Sequence, residues 1–289
     1  MKLSVCMITF NHARYIKQAI DSILMQNCSF DYEIVIGDDA STDNTRNILQ
    51  DYRVKYPEKI KLVLHNNNIG MLSNFTETIN KCTGKYIAIL EGDDYWTDPY
   101  KLQNQVDFLD ANPDYGLVSS SIECVDENNQ KLDNHPYILP EKHRFPDDSF
   151  WVLLKKNYIY TLTVCTRKDF IQKLTNRIFG ENLSFPYDYW FWLNISLDSK
   201  IKIMDIPTAC YRIHNYGISR NQGFFNTRRI LVKTDLIKTL LSKKNIKLNT
   251  EQKKIILRVL INITKNKDIP FKLKTSFLFF LTKKFKKLF

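Results

Sequence analysis

Short apolar runs alternate with segments of helical period along the first part of the chain. The run at 86–91 shows no period-2 alternation, which is typical of a strand buried on both faces of a parallel sheet. We predict strands at 3–9, 32–37, 60–64 and 86–91, and helices at 14–26, 44–56, 71–82 and 99–112. Alternation with short connections predicts an α/β fold with a mostly parallel central sheet flanked by helices.

Beyond residue 115 this alternation ends. We predict strands at 116–125, 158–166, 201–204 and 209–214, a helix at 150–156 and a polar loop at 126–146. From about residue 227 basic amphipathic helices follow, with Asn249 and Gln252 placed as an N-cap and its N3 partner. The chain therefore divides into an α/β domain at 1–219 and a helical C-terminal extension at 220–289, with an amphipathic end at about 269–289.

Polar clusters follow each of the first four strands, and in a parallel sheet these clusters meet at one edge. Glu91, Asp93 and Asp94 come directly after the fourth strand. Clustered carboxylates raise one another's pKa, and a hard divalent cation removes that cost. Ligands of open α/β sheets also bind at the carboxyl ends of the strands. The pattern predicts a cation site at this edge, with a solvated acidic loop as the alternative.

Glycine-rich phosphate loops are missing from the sequence. The chain has 8 glycines and contains neither GxGxxG nor GxxxxGK[ST]. Dinucleotide-binding and P-loop folds are therefore excluded at the level of their motifs. We expect phosphates to be neutralised by a metal ion instead.

Charge is distributed unevenly along the chain. Residues 220–289 carry 19 Lys+Arg against 3 Asp+Glu, a net of +16, which leaves −5 for residues 1–219. No known nucleic-acid reader motif accompanies the basic end, so we predict no nucleic-acid partner. The six cysteines lack metal-site spacing, no signal peptide is evident, and no apolar run approaches the ~20 residues of a membrane span. A cytoplasmic location is expected.

Five short motifs in order carry a resemblance to a known family. They are Thr9-Phe10-Asn11, Asp38-Asp39-Ala40-Ser41-Thr42-Asp43, Glu91-Gly92-Asp93-Asp94, Tyr187-Asp188 and Tyr211-Arg212-Ile213-His214. Together they resemble a family 2 glycosyltransferase with the GT-A fold over about residues 1–219. The continuation Tyr95-Trp96-Thr97-Asp98-Pro99 is similar to bacterial enzymes of surface-polysaccharide assembly.

The resemblance implies an inverting transfer of a sugar from a nucleoside diphosphate, expected to be UDP, to a hydroxyl of a glycan or lipid-linked acceptor. It implies Mn²⁺ or Mg²⁺ as cofactor, with Asp93, Asp94 and His214 as metal residues. It implies Asp188 as general base, although the usual partner Glu is replaced by Tyr187. The implied nucleotide-binding residues are Thr9, Phe10, Asn11, Asp39, Asn68, Glu91 and Gly92. The implied acceptor or phosphate contacts are Trp96, Tyr187 and Arg212.

Several of these residues also have a purely structural interpretation. Asp38 and Asp39 are placed to cap a helix or to form an Asx-turn, and Asp188 to act as an N-cap. His214 and Arg212 have structural partners as alternatives, and Trp96 has core packing. Glu91 stands where the family usually has Asp, which leaves its direct contact with the metal open.

Two other functions compete with glycosyl transfer. A nucleotidyltransferase that makes the activated sugar would share a nucleotide-binding core, but residues 9–14 lack the glycine-rich loop typical of that class. A non-catalytic binding protein on the same fold would tolerate loss of the acids, whereas all of them are present.

The last segment of the chain predicts a membrane-surface helix. Its apolar residues fall on one helical stripe flanked by lysines, and the longest unbroken apolar run is far too short to span a bilayer. The stripe comprises Leu273, Phe277, Phe280, Leu281, Phe285 and Leu288. We expect peripheral contact with the anionic inner face of the cell membrane, with docking on the protein's own body as the alternative. The sequence indicates no oligomeric state.

Overall fold

The computed structural model describes residues 1–138, 149–178, 187–215, 222–242 and 248–285. These residues form two compact units. The first comprises 1–138, 158–178 and 199–215, and the second comprises 149–157, 187–198, 222–242 and 248–285. The second unit thus joins the C-terminal helices to two segments that precede residue 219. The division at 219/220 stays a prediction.

The first unit is built on a mixed eight-stranded sheet. Its strands are β1 (Leu3–Thr9), β2 (Tyr32–Asp38), β3 (Ile60–Leu64), β4 (Tyr86–Glu91), β5 (Tyr95–Trp96), β6 (Tyr115–Asp126), β7 (Cys165–Arg167) and β8 (Lys200–Ile213). Their order in the sheet is β3-β2-β1-β4-β7-β6-β8-β5. The first four strands are mutually parallel, whereas β7 is antiparallel to both of its neighbours and β5 is antiparallel to β8.

Helices flank this sheet. They are α1 (Ile16–Leu24), α2 (Thr45–Lys55), α3 (Met71–Lys81), α4 (Lys101–Ala111) and α6 (Lys168–Ile178). Every residue of β1 and β2 is buried, as expected for strands covered on both faces. The apolar face of α1, with Ile16, Ile20 and Ile23, belongs to the same core cluster. The predicted α/β fold and its first four strand–helix pairs are confirmed, with bounds within two residues of those predicted.

Two predicted strands differ from the structure. Residues 158–166 do not form one strand, because a 3₁₀ turn (Thr161–Thr163) precedes β7. The carbonyls of Leu162 and Thr163 accept hydrogen bonds from the Trp96 indole (2.7 Å) and the Gln105 amide (2.8 Å), so they are not available to a strand ladder there. The strands predicted at 201–204 and 209–214 are one strand, β8, whose pairing with β6 is irregular near Pro207.

The described part of the second unit is helical. Its helices are α5 (Ser149–Lys155), α7 (Tyr187–Asp198), α8 (Gln222–Ser242), α9 (Thr250–Lys265) and α10 (Phe271–Phe285). The predicted capping box at the start of α9 is confirmed, with the Asn249 side chain accepting from the Gln252 backbone N–H at 2.9 Å. No helix in these described segments is both long and apolar enough to cross a membrane.

The centre of the predicted amphipathic stripe faces inward in α10, whereas Leu273 at its start is 46% exposed. Phe277 and Leu281 are 0% and 3% exposed, and α10 packs against α8 and α9. Of the remaining stripe, the side chain of Phe285 and residue Leu288 lie outside the described residues. Docking on the protein's own body, the alternative raised from sequence, therefore accounts for the centre of this stripe.

Candidate active site

The carboxyl ends of β1, β2 and β4 bring three loops together at one edge of the sheet. Thr9 pairs with Asp38 in the β1–β2 register, and Ile8 pairs with Glu91 in the β1–β4 register. The backbone ladder continues past the strands, since Asp39 N donates to Thr9 O at 3.0 Å and Gly92 N to Ile8 O at 3.0 Å. We call this the carboxyl edge. It holds the predicted nucleotide and metal residues of the first unit.

Asn11 ties the loop after β1 to the loop after β2. Its backbone N–H donates to Ser41 Oγ at 2.9 Å, and its side-chain oxygen accepts from Thr42 N at 2.8 Å. Asn11 and Ala40 have φ angles of 56° and 60°, which lie in the left-handed region. For Ala this conformation is uncommon and strained, so the loop geometry is imposed by its surroundings.

Asp38 and Asp39 have different partners. Asp38 is fully buried and accepts two hydrogen bonds from the Arg46 guanidinium, at 2.9 and 2.7 Å, and one from the Ser41 hydroxyl. Asp39 accepts from the backbone N–H groups of Ile69 (2.7 Å) and Gly70 (3.0 Å). The first carboxylate therefore organises its own loop, whereas the second joins the β2 loop to the start of α3.

Two other predicted nucleotide-binding residues lie near these loops, Phe10 directly after β1 and Asn68 between β3 and α3. Asn68 is exposed, and its side-chain amide donates to Asp39 O at 3.3 Å. Phe10 is 41% exposed, although it is a large apolar residue and directly follows the buried strand β1. An exposed aromatic ring and exposed amides at a strand end are groups that could bind the base and ribose of a nucleotide.

Asp93 is faced by two histidines. Its Oδ2 lies 3.0 Å from Nε2 of His214, at the end of β8, and 3.7 Å from Nε2 of His12, between β1 and α1. The ring of His214 lies 5.3 Å from that of Tyr15, which packs beside it. Burial raises the pKa of Asp93, but the charge of His12 and the hydrogen bond from His214 outweigh that effect and hold it below the usual value. Asp93 is therefore ionised at neutral pH.

Asp94 lies in a different environment from its neighbour. It is 3% exposed, and its Oδ1 accepts from the backbone N–H of Arg212 at 2.7 Å. Burial, together with the negative charges of Asp93 and Glu91, raises its pKa well above the usual value. The carboxylate thus fixes the end of β8 to the turn after β4.

Arg212 links four parts of the first unit. Its guanidinium donates to Asp93 O (2.8 Å), Gln18 Oε1 (2.8 Å), Asn129 Oδ1 (2.9 Å) and Asp126 O (3.3 Å). The side chain is 3% exposed. These contacts leave one of its five N–H donors for another partner, so a direct phosphate contact stays a prediction and the structural interpretation is well supported.

Gly92 has no side chain, which leaves room for neighbouring polar side chains at the carboxyl edge. A Cβ atom at this position would lie 2.7 Å from Thr9 Oγ1 and 2.9 Å from His12 Nδ1. Both of these polar atoms, and His214 Nδ1, are buried and have no hydrogen-bond partner among the described residues. Buried polar atoms in proteins usually have hydrogen-bond partners. Three such atoms without one, so close together, are unusual if they serve only for packing.

Trp96, predicted as an acceptor contact, is corrected by the structure. It is 1% exposed, its indole N–H is bonded to Leu162 O, and Lys101 Nζ lies 4.2 Å from the centre of its ring. Trp96 is therefore a core residue, which agrees with the core-packing alternative raised from the sequence.

Comparison with known proteins decides the family. A family model described as Glycosyl transferase family 2 matches residues 4–201. The chain belongs to this family. The match covers β1 to the start of β8 and includes every residue of the carboxyl edge except Arg212 and His214.

Curated relatives in this family span several groups of microbes. An uncharacterized protein of Mycobacterium tuberculosis is 32% identical over 216 residues, which are 75% of this chain and 60% of the relative. The putative teichuronic acid biosynthesis glycosyltransferase TuaG of Bacillus subtilis is 29% identical over 222 residues, 76% of this chain and 82% of TuaG. The chain thus spans less than two thirds of the length of the mycobacterial relatives it matches.

Solved structures of glycosyltransferases share the fold. Residues 1–349 of Staphylococcus aureus TarS, in complex with UDP, superpose with a TM-score of 0.65 at 19% identity, covering 98% of this chain and 80% of that one. A mannosyltransferase of Pyrobaculum calidifontis, in complex with GDP-Man and Mn²⁺, gives 0.61 at 17% identity, covering 98% and 74%. The fold is therefore GT-A.

The predicted base of this family 2 member lies in the second unit. Asp188 is in the first turn of α7 rather than at its N-cap, where a carboxylate is favoured by the helix dipole. Tyr187 is 5% exposed, and its ring packs edge-on against Phe191 with centroids 5.8 Å apart. The carboxyl edge belongs to the first unit.

A divalent cation is compatible with the carboxyl edge. No group of three or more His, Cys, Asp or Glu is arranged as a ready metal site among the residues that the structure describes. Mg²⁺ and similar ions are, however, usually held by one or two protein ligands together with substrate phosphates. Asp93 Oδ2 and His214 Nε2 lie 3.0 Å apart, so both atoms could contact one ion that takes the place of their mutual hydrogen bond. The residues therefore fit a cation that a nucleotide diphosphate completes.

His12 is the residue of this edge that sequence reasoning missed. It lies outside the motifs and outside the residues that the family resemblance implies. The signal that could have found it is its place directly after Asn11, at the carboxyl end of β1, where each neighbouring loop contributes a polar side chain.

Proposed function

We propose that this chain transfers a sugar, with inversion, from a nucleoside-diphosphate sugar to a hydroxyl of a glycan or lipid-linked acceptor in surface-polysaccharide synthesis. The observation that carries the proposal is Asp93, an ionised carboxylate at the end of the central strand β4, faced by His214 at 3.0 Å and His12 at 3.7 Å. The family membership and the name of TuaG support the reaction class and the process.

The loops after β1 and β2 would bind the nucleoside. The exposed Phe10 ring is placed to stack on the base, and Asp39 retains lone pairs beside the two backbone groups that it already accepts. A carboxylate accepts the ring N–H of uracil, and the solved TarS complexes contain UDP and UDP-GlcNAc. We therefore propose a UDP-linked donor for this chain.

Asp93 and His214 would hold Mn²⁺ or Mg²⁺ against the diphosphate. The cation supplies charge neutralisation for the leaving nucleoside diphosphate. Asp94 and Arg212 keep the turn that carries Asp93 fixed, since the Arg212 backbone N–H donates to Asp94 Oδ1 and the Arg212 guanidinium donates to Asp93 O. Gly92 lets His12 and Thr9 approach this turn closely.

Asp188 is the proposed general base. A carboxylate can take the proton of the acceptor hydroxyl as it attacks the anomeric carbon. Asp188→Asn keeps the size of the side chain but cannot accept that proton. We expect turnover to fall by about 10²-fold or more, with the dissociation constant of the donor nucleotide little changed. Single-turnover kinetics together with calorimetric binding of UDP measures both. Unchanged turnover would assign the base to another residue.

The donor is tested with a panel of nucleotides. Thermal shift with UDP, GDP, CDP and TDP, each with and without Mn²⁺, reports binding, and hydrolysis of the corresponding nucleotide sugars reports chemistry. We expect stabilisation by UDP that requires Mn²⁺ and hydrolysis that stops in EDTA. Nucleotide binding without hydrolysis or transfer of any sugar would favour a binding protein, and formation of a nucleotide sugar from a sugar phosphate would favour a nucleotidyltransferase.

The acceptor and the location are proposed together. We infer a glycan or lipid-linked acceptor and peripheral contact with the anionic cytoplasmic face of the membrane. The supporting observation is the net charge of +16 in residues 220–289, because basic segments are attracted to anionic lipid surfaces. Vesicle sedimentation of the full chain tests this contact separately from donor hydrolysis.

A further inference from the structure

Helix α10 exposes two large aromatic side chains to solvent. Phe271 is 80% exposed and Phe279 is 71% exposed. Helix α9 also exposes two large apolar side chains, Leu257 (54% exposed) and Ile261 (38% exposed), which lie one helical turn apart. Scattered apolar residues are normal on protein surfaces, but a phenylalanine with most of its surface in water is costly and two on one helix are unusual.

Phe271 and Phe279 lie on the side of α10 that faces away from α8 and α9. Successive residues of a helix are about 100° apart, which places Phe271 and Phe279 on one side and the buried Phe277 and Leu281 on the other. The helix therefore has two apolar sides. One anchors it to α8 and α9, and the other holds the two phenylalanines that are mostly exposed to solvent.

Basic side chains surround the exposed apolar residues. Lys272 lies about 20° from Phe279 around the axis of α10, on the outward side, and is itself exposed. Residues 248–285 carry 9 Lys+Arg against 2 Asp+Glu, and one of the two acids, Glu251, is paired with Lys155 at 2.9 Å. The exposed basic residues of α9 are Lys254, Arg258 and Lys265. The surface therefore combines protruding apolar groups with uncompensated positive charge.

We propose that the outward side of α10, defined by Phe271, Lys272 and Phe279 and extended by the exposed face of α9, docks on an anionic lipid bilayer. The proposal rests on the membrane contact proposed above and names the surface that makes it. Aromatic rings can enter the boundary between headgroups and acyl chains while lysines remain at the anionic phosphates. A second copy of the chain would bring like charges together, and a nucleic acid would not require the apolar side chains.

This surface differs from the one that the sequence pattern indicated. Phe277 and Leu281 were expected to face lipid, but they anchor α10 to its own unit. Deletion of residues 269–289 would therefore remove part of the packing of the second unit as well as any membrane contact. Changes to exposed side chains separate the two effects.

The test compares the full chain with Phe271→Ser/Phe279→Ser on vesicles of phosphatidylglycerol and phosphatidylcholine. We expect the wild type to sediment with these vesicles and the double variant to bind about tenfold or more weakly, because it lacks the two aromatic side chains that would enter the bilayer. The matched control is Val54→Ser, since Val54 is 81% exposed on α2 of the first unit. It should bind as the wild type does. The unfolding midpoint of the double variant should not fall.

Further variants and vesicle compositions separate the contribution of the positive charges from that of the apolar side chains. Lys254→Gln/Arg258→Gln/Lys265→Gln should weaken binding and reduce its dependence on salt, and vesicles of phosphatidylcholine alone should bind weakly. Equal sedimentation of the wild type and the Phe variant, or no sedimentation of the wild type, would overturn the proposal. Donor hydrolysis without vesicles is measured in parallel. Its absence would count against the glycosyltransferase reaction and not against this surface.

Discussion

Both edges of the parallel part of the sheet hold buried carboxylates, but the partners of these carboxylates differ. At the amino edge, where the strands begin, Glu33 is 1% exposed and accepts from Ser4 Oγ (2.6 Å), Thr83 N (2.6 Å) and Thr83 Oγ1 (2.7 Å). Its other oxygen pairs with Lys61 at 2.6 Å. A Cβ at Gly84 would lie 2.4 Å from the backbone of Ser4, so this edge is tightly closed.

The carboxyl edge is incompletely satisfied by the protein. Asp93 is shared by two histidines, each of which keeps a ring nitrogen with no hydrogen-bond partner in the part of the chain that the structure describes. Burial opposes the ionisation of Glu33, but Lys61, Ser4 and Thr83 outweigh it and lower the pKa to about 2, whereas Asp94 has its pKa raised. The two edges therefore differ in how far hydrogen bonds and ion pairs within the protein satisfy their polar side chains, rather than in the number of acids.

The largest expected effect is at Asp93. Asp93→Asn should lower donor turnover by about 10³-fold, or roughly 4 kcal/mol, because it removes the charge that would hold the cation. Its unfolding free energy should fall only a little, because the hydrogen bond from His214 is weakened while the repulsion with Asp94 is relieved. Donor hydrolysis with Mn²⁺ and denaturant unfolding measure the two quantities. Loss of stability with normal turnover would make this edge structural, like the other.

Glu33→Gln should show the reverse pattern. We expect a loss of about 2–3 kcal/mol in the free energy of unfolding at pH 7, because charge-assisted buried hydrogen bonds are weakened, with turnover of the folded enzyme unchanged. The folded pKa of Glu33 is lowered, so its contribution is complete above the unfolded pKa of about 4.5 and is lost as the pH falls towards about 2. The wild type and the variant should therefore converge in stability below pH 4. A difference that grows in acid would contradict this assignment.

A smaller effect is expected at His12. His12→Gln should lower turnover by about tenfold, or 1.4 kcal/mol, and should weaken Mn²⁺ binding in the presence of UDP, measured by calorimetry. His214→Gln should have the larger effect on both, because His214 is closer to Asp93. Equal activity of the wild type and His12→Gln would reduce the site to Asp93 and His214.

The smallest effect concerns backbone strain at the carboxyl edge. Ala40 has φ 60°, which Gly adopts without strain. Ala40→Gly should raise the free energy of unfolding by at most about 1 kcal/mol, since relief of strain is partly offset by the greater freedom of the unfolded chain. Denaturant unfolding measures it. Substantial destabilisation would show that the methyl group, rather than the loop geometry, is required.

The regular part of the fold was predictable because period and burial agree there. Strands covered on both faces, such as β1 and β4, are uniformly apolar, and the acids that follow them mark their carboxyl ends. The 3₁₀ turn at Thr161–Thr163 was not predictable, since it depends on hydrogen bonds from Trp96 and Gln105, more than 50 residues away in sequence.

The candidate site was predictable in position but not in its division of roles. The motif containing Asp38 and Asp39 does not show which carboxylate is used by Arg46, and the acid motif does not show that Asp94 fixes β8. An apolar helical stripe, likewise, indicates that something covers it. It does not indicate whether lipid or protein does so, and in α10 the protein covers Phe277.

The pairing of Arg212 has a consequence for the energetics of the proposed reaction. Its guanidinium is held by carbonyl and amide oxygens from three other segments before any donor arrives. A buried charge with a fixed orientation does not have to reorient as negative charge develops on a leaving group, so it lowers the reorganisation energy of that step. Arg212 would thus act at a distance, as part of a permanent field, and Lys at this position would retain the charge but not its fixed direction.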